Sequence, residues 1–180
     1  MEKLENYIIT GDRDALQLAT ELTRVVITKK GISEFKLYDD AAMIEEYGFD
    51  HIQFIDYKGL RGDSSDNIPG IAGVGDKTAS KLIQQFGSIE NMLAHSDEIS
   101  SAKLREKIEE GAMDAMMSKH LATIVTNVPV DYTIDDLLIG GPDYKRLREI
   151  YEKLEFRKFL KELPKEESRN TRRIFKILFV

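Results

Sequence analysis

Four aspartates and a glycine bend carry most of the chemistry legible in this chain of 180 residues. Asp63 and Asp66 sit in a Gly/Ser-rich turn, Gly62-Asp63-Ser64-Ser65-Asp66-Asn67. Carboxylates with short polar neighbours suit a hard divalent cation such as Mg²⁺ or Mn²⁺. Asp12 and Asp14 follow the apolar run Tyr7-Ile8-Ile9-Thr10. A strand there places both at its carboxyl end, where open α/β sheets usually bind ligands. Downstream, Gly73-Val74-Gly75 opens directly onto an apolar helix that carries Lys77, Thr78 and Lys81. A Gly-x-Gly bend at a helix N-terminus aims backbone N–H groups at a phosphate. A metal beside a phosphate is the minimal arrangement for cutting or joining a phosphodiester.

Each of these features has a plainer alternative. Asp12 can cap a helix and Asp14 can suit its dipole. Asp63 and Asp66 can bond their own turn. Gly-Val-Gly can simply join two packed helices. Convergence of the four carboxylates would decide the first two. Two like charges about 4 Å apart repel by about 4 kcal/mol at an effective dielectric near 20, so such a cluster persists only around a cation.

The elements that must position these residues are of two kinds. Residues 1–59 read as α/β. Tyr7–Thr10 and Val25–Thr28 are short apolar strands, and Ala15–Leu22 has helical spacing between them. Glu34–Tyr38 alternates as a partner strand after a turn at Lys29-Lys30-Gly31. Asp39 caps a helix that stops at Gly48, and Ile52–Leu60 repeats at helical spacing. Residues 60–163 read as almost all helix. Asp76–Phe86 ends at Gly87, Ser88 caps the next helix, and Ser100 or Ser101 starts a third. Asp114–Val125 has Met116, Met117, Leu121, Ile124 and Val125 as its apolar set. After Gly140-Gly141-Pro142, Asp143 caps a helix with Leu147, Ile150 and Tyr151 inward, and Phe156–Leu163 follows. Residues 164–180 carry no assigned role.

The totals bound the answer. An apolar content of 42% is enough for a real core. Without cysteines there is neither a disulfide nor a thiolate metal site, which fits a reducing cytoplasm. No apolar run is long enough for a membrane-spanning helix. The formal net charge of −6 argues against nucleic-acid binding by bulk charge, yet a local acidic metal pocket with basic patches remains compatible with it. His51, His95 and His120 lie in helical stretches and read as surface or boundary residues.

The order Gly62-Asp63-Ser64-Ser65-Asp66-Asn67-Ile68-Pro69-Gly70, then Gly73-Val74-Gly75-Asp76-Lys77-Thr78-Ala79, resembles the 5′-nuclease (5′-3′ exonuclease) domain of bacterial DNA polymerase I. More widely it is similar to the flap-endonuclease superfamily. The resemblance spans Tyr7 to about Leu163. It implies a partial PIN-like α/β sheet, residues 1–59, followed by a helical helix-hairpin-helix region (helix-three-turn-helix, SAM-like), residues 60–163. It also implies that Asp12, Asp14, Asp63 and Asp66 hold Mg²⁺ or Mn²⁺ in a two-metal arrangement, directly or through water. On the same basis, Gly73, Val74, Gly75, Lys77, Thr78 and Lys81 grip DNA backbone, with K⁺ expected at the hairpin. The substrates implied are duplexes with a 5′ flap, nick or RNA primer, bound without sequence preference, in the bacterial cytoplasm and nucleoid. A polymerase domain C-terminal to this region is expected in the full-length protein. Complete members bring further carboxylates and a basic helical arch from a segment N-terminal to Asp12, so the expectation is weak or no cleavage by this chain alone. The alternative is a non-catalytic helix-hairpin-helix DNA-binding module.

Overall fold

A computed structural model describes residues 4–30, 34–138, 140–164 and 177–179. Two compact units divide the chain: 1–128 together with 177–180, and 129–176. The expected boundary at 59/60 falls inside the first unit, whose core runs without a break from Leu16 to Ala115.

The first unit opens with strand β1 (Asn6–Thr10), a 3₁₀ turn (Arg13–Leu18), β2 (Thr23–Lys30) and β3 (Glu34–Tyr38). The β-branched and aromatic content of these segments suits a pleated surface. β1 runs parallel to β2, from Asn6 opposite Thr23 to Thr10 opposite Ile27, and β3 returns antiparallel. The expected helix over Ala15–Leu22 is a shorter 3₁₀ turn, because Thr20 and Thr23 pair their backbones to begin β2. Lys29 and Lys30 belong to β2 rather than to a turn, and Gly31 lies outside the described residues. The tail contributes β4 (Ile177–Phe179), which pairs parallel to Tyr7–Ile9 and gives the sheet the order β3-β2-β1-β4. Sequence alone gave that segment no role; β4 supplies hydrogen-bond partners to the outer edge of β1.

Helix α1 (Asp40–Tyr47) is capped by Asp39, whose side chain accepts from the Ala42 N–H, and ends on Gly48 with left-handed φ. α2 (Gln53–Arg61) follows and is the axis of the unit. Helices α3 (Asp76–Phe86), α4 (Ile89–Ala94) and α6 (Ala112–Ala122) pack against it, and α5 (Ala102–Glu110) packs against α6. Ser88 and Ser101 cap α4 and α5 through the N–H groups of Asn91 and Leu104. Tyr47, Phe49, Phe54 and Tyr57 form one aromatic cluster, with ring centroids 5.2–5.9 Å apart.

α6 departs from the expected face. Met116, Met117, Leu121 and Val125 are exposed, and Ala115, Ser118 and Ala122 point inward. The reason is the closeness of the α2–α6 crossing. A Cβ placed on Gly59 would come within 2.9 Å of Lys119 Cβ and 3.2 Å of the Ala115 carbonyl oxygen. Only small side chains fit between backbones that close. Ser118 uses its place there to accept the Gly70 N–H at 2.9 Å, and Gln17 bonds both Ala122 O and Ile124 N at 2.8 Å.

The second unit holds a 3₁₀ turn (Asp135–Leu137), α7 (Tyr144–Lys153) and α8 (Arg157–Glu162). Asp143 caps α7 through the Arg146 N–H. Leu147 and Tyr151 are half-buried, whereas Ile150 is exposed. Tyr151, Phe156 and Phe159 stack together, with centroids 5.5–6.2 Å apart.

Candidate functional site

The acidic residues are held by three separate local devices. β1 ends at Thr10, and Asp12 caps the following 3₁₀ turn by accepting the Asp14 N–H at 2.8 Å. That is the plain capping role foreseen for Asp12. The cap aims Asp14 at α2. There the Lys58 ammonium lies against Asp14 Oδ1 and also against Asp63 Oδ2. The contact to Asp14 is an ion pair without hydrogen-bond direction, so this buried oxygen has charge compensation but no directed donor.

Asp63 begins a closed loop. Asp63 and Ile68 exchange both backbone hydrogen bonds, at 2.9 and 2.8 Å. Gly62 and Gly70 meet at the neck, where a Cβ on Gly70 would stand 2.3 Å from Gly62 N. The neck closes only without side chains. Inside the loop, Asp63 Oδ1 accepts from Ser65 N at 2.9 Å and from Ser65 Oγ at 2.5 Å. Asp66 stands exposed on the outer part of the loop. The structure thus joins Asp14 and Asp63 through Lys58, gives Asp12 to the cap, and leaves Asp66 on the rim. Among the described residues no three acidic or histidine side chains assemble into a ready metal site.

Electrostatics follow from these contacts. The hydrogen bond from Lys58, and then those from Ser65, hold the Asp63 carboxyl far below the usual carboxylate range. Burial pulls the Lys58 ammonium down, and its contacts with the Asp14 and Asp63 carboxylates more than reverse it. Asp76 is held low, first by the Tyr57 hydroxyl, and Glu90 first by Lys119. All three acids titrate lower in the folded than in the unfolded chain. Their contribution is complete above the unfolded value near pH 4 and is lost as pH falls through the depressed folded values. The urea midpoint should therefore fall between about pH 5 and pH 2. Asp63→Asn should flatten that acid limb; an unchanged limb would remove Asp63 from the account.

The glycine bend forms as its spacing predicts. Gly73 has φ of +81°, and Val74 behind it is buried. Gly75 precedes α3 with φ −98° and ψ −177°, an extended conformation open to any residue. A Cβ there would meet nothing within 4 Å. Neither backbone strain nor internal packing requires glycine at Gly75. Lys77 and Lys81 are exposed one turn apart on α3, and Thr78 is half-buried.

Sequence reasoning missed the residues that tie the two halves together. Tyr57 donates to Asp76 Oδ1 at 2.5 Å, and Arg61 Nε pairs with the same carboxylate. Tyr57 and Lys58 are consecutive on α2; one holds the hairpin helix and the other the acid pair. Asp63, Asp76, Tyr57, Lys58, Arg61 and Arg13 line a common cleft of about 290 Å³. Lys107 brings its ammonium to the hairpin, within 2.5 Å of where a Gly73 Cβ would be. One signal was available: Phe54, Tyr57, Lys58 and Arg61 fall at i, i+3, i+4 and i+7, so Lys58 sits on the core-facing stripe of its helix.

Comparison with known proteins identifies the family and the fold. Residues 49–145 match the family described as 5′-3′ exonuclease, C-terminal SAM fold. The chain is 42% identical over 178 residues to DNA polymerase I of Bacillus caldotenax, spanning 99% of this chain and 20% of that protein. It is 45% identical over 164 residues to DNA polymerase I of Bacillus subtilis, spanning 91% and 19%. The chain therefore covers about one fifth of the length of these relatives. Among solved structures, T5 5′-exonuclease with bound divalent metal ions (zinc) aligns with a TM-score of 0.57 at 23% identity, over 66% of this chain and 42% of that one. The catalytic core of Rad2 in complex with DNA substrate aligns with a TM-score of 0.57 at 19% identity, over 88% and 56%. The match over residues 49–145, carrying both the Asp63 loop and the glycine hairpin, places this chain in the 5′-3′ exonuclease family, of which it bears the C-terminal SAM fold.

Proposed function

We propose that this chain is the DNA-gripping and part of the metal-binding portion of a DNA polymerase I-type 5′-nuclease, acting on flaps, nicks and RNA primers in the bacterial cytoplasm. The observation that carries the reading is the α2 junction. Successive residues Tyr57 and Lys58 fasten the phosphate-ready hairpin and the acid pair to one helix, facing one cleft.

In this reading the N–H groups around Gly75 and the first turn of α3 receive a backbone phosphate, with Lys77, Lys81 and Lys107 adding positive charge and Thr78 a hydroxyl. Contacts of this kind ignore base sequence and weaken with salt. K⁺ at the hairpin carbonyls is a finer part of the same proposal. Asp14 and Asp63 would hold a divalent ion, Mg²⁺ or Mn²⁺, with Asp12 and Asp66 reaching it through water. The undirected, buried Oδ1 of Asp14 fits such an ion. When bound, the metal supplies an activated water and neutralises charge on the phosphate. The protein's own contribution is to hold Asp63 ionised, through Ser65 and the closed loop, and to keep the hairpin in register with it through Asp76.

The test is a Mn²⁺ titration followed by a 5′-flap assay. Wild type should bind Mn²⁺ saturably, and Asp63→Asn should lose on the order of tenfold or more in affinity. Cleavage of the labelled flap by this chain should be slow, because two converging carboxylates are a partial ligand set. Saturable Mn²⁺ binding unaffected by Asp63→Asn would remove the metal assignment. The second reading, a DNA-binding module without chemistry, is favoured by the capping role of Asp12 and gains if duplex binding persists without any Mn²⁺ site.

A further inference from the structure

We infer that Lys58 is a tethered counter-cation: its ammonium fills the acid pair when no metal is bound and must leave for a divalent ion to bridge Asp14 and Asp63. The inference rests on the metal reading above and adds to it a residue that sets how tightly the ion is held.

Three observations carry it. First, Lys58 is a charged residue on the core-facing stripe of α2, with only 5% of its side chain exposed. A lysine is rarely buried to that degree without a specific counter-charge. Second, its ammonium touches Asp14 Oδ1 and Asp63 Oδ2 together. A single ammonium stands where one ion would bridge the two carboxylates. Third, the Asp63 carboxylate and the turn that carries Asp14 are positioned independently of the lysine. Ser65 fixes the other oxygen of Asp63 through two hydrogen bonds, and the Gly62–Gly70 neck fixes the loop. The Asp12 cap fixes the turn that carries Asp14. Withdrawing the ammonium therefore leaves the Asp63 carboxylate, and the backbone that presents Asp14 beside it, in place.

The physics of exchange is then simple. One tethered positive charge offsets part of the repulsion between the two carboxylates, and a divalent ion offsets more of it. Both cannot occupy the same space. The lysine stem is flexible and already lines the 290 Å³ cleft shared with Tyr57, Arg61 and Asp76, so the displaced ammonium has somewhere to go without crossing the core. The cost of moving it is subtracted from metal affinity. Lys58 thereby keeps the metal-free protein folded and the metal exchangeable.

The test is calorimetric titration of Mn²⁺ into wild type, Lys58→Met, Lys58→Gln and Asp63→Asn, without DNA, at neutral pH, with melting curves for each. Lys58→Met should bind Mn²⁺ at least about tenfold tighter than wild type. Its melting temperature should fall without metal and recover with Mn²⁺ more than that of wild type does. Lys58→Gln, which keeps a neutral donor, should lie between them and reads the same effect if Lys58→Met fails to fold. Folded Lys58 variants with wild-type or weaker Mn²⁺ affinity overturn the inference and leave the metal reading standing. Absence of Mn²⁺ binding that Asp63→Asn abolishes, in wild type and variants alike, overturns both.

Discussion

Replacing Gly75 by Val and Lys77 by Glu together should weaken duplex binding on the order of a hundredfold or more, with helix content and melting temperature almost unchanged. The two halves of that expectation have separate causes. Gly75 occupies extended backbone, and a side chain there meets open space. Valine at this cap position should cost no more than about 1 kcal/mol of stability. Its methyl groups would nonetheless occupy the volume through which a phosphate reaches the N–H groups of the first turn. Lys77→Glu converts an attractive charge beside that phosphate into a repulsive one. The salt slope of binding should fall at the same time, because fewer counterions are released. Fluorescence anisotropy with a short labelled duplex at two salt concentrations measures both effects, and circular dichroism checks the fold. Unchanged affinity with intact helices would make the bend a mere helix connection.

The hairpin was legible because its logic is local. Gly73 needs positive φ, Val74 must be apolar, and α3 must begin at once; all three conditions are written in consecutive residues. Asp39, Ser88, Ser101 and Asp143 were legible as caps for the same reason, since a side chain that bonds its own helix needs no distant partner. The acid pair was only half legible. Proximity of Asp14 and Asp63 depends on α2 lying between the 3₁₀ turn and the closed loop, and sequence spacing does not encode that. The residue between them, Lys58, was hidden by its type: a lysine reads as solvated surface until its position on the core stripe is counted. α6 was misread on one face because hydrophobicity outvoted size. Met116 and Met117 have the affinity for a core, but the backbone of Gly59 comes so close to Ala115 and Lys119 Cβ that only small side chains, Ala115 and Ser118, turn inward there. The strand at Ile177–Phe179 depends on a pairing with Tyr7–Ile9 at the other end of the chain, which periodicity cannot reveal.

The same crossing predicts the largest stability effect in the molecule. Asp56 on α2 is almost fully buried, and its Oδ1 accepts from Lys119 Nζ at 2.6 Å and from Ile89 N at 2.9 Å. Lys119 also reaches Glu90 at 2.8 Å, so one ammonium ties α6 to both α2 and α4. Lys119→Met leaves the Asp56 carboxylate buried against one N–H, and removing a single partner from such a pair costs about 3 kcal/mol or more. The melting temperature should fall by about 10 °C. Asp56→Asn is the informative comparison. It removes the buried charge but keeps an acceptor for Ile89, so its cost should be about 1–2 kcal/mol. The order of the two variants separates charge burial from lost packing: if Asp56→Asn is the more damaging, the ammonium is not what holds the three helices together. Because α2 also carries Tyr57 and Lys58, loosening its seat on α6 should weaken duplex binding in the Lys119 variant well below its melting temperature, even though no DNA contact has been altered.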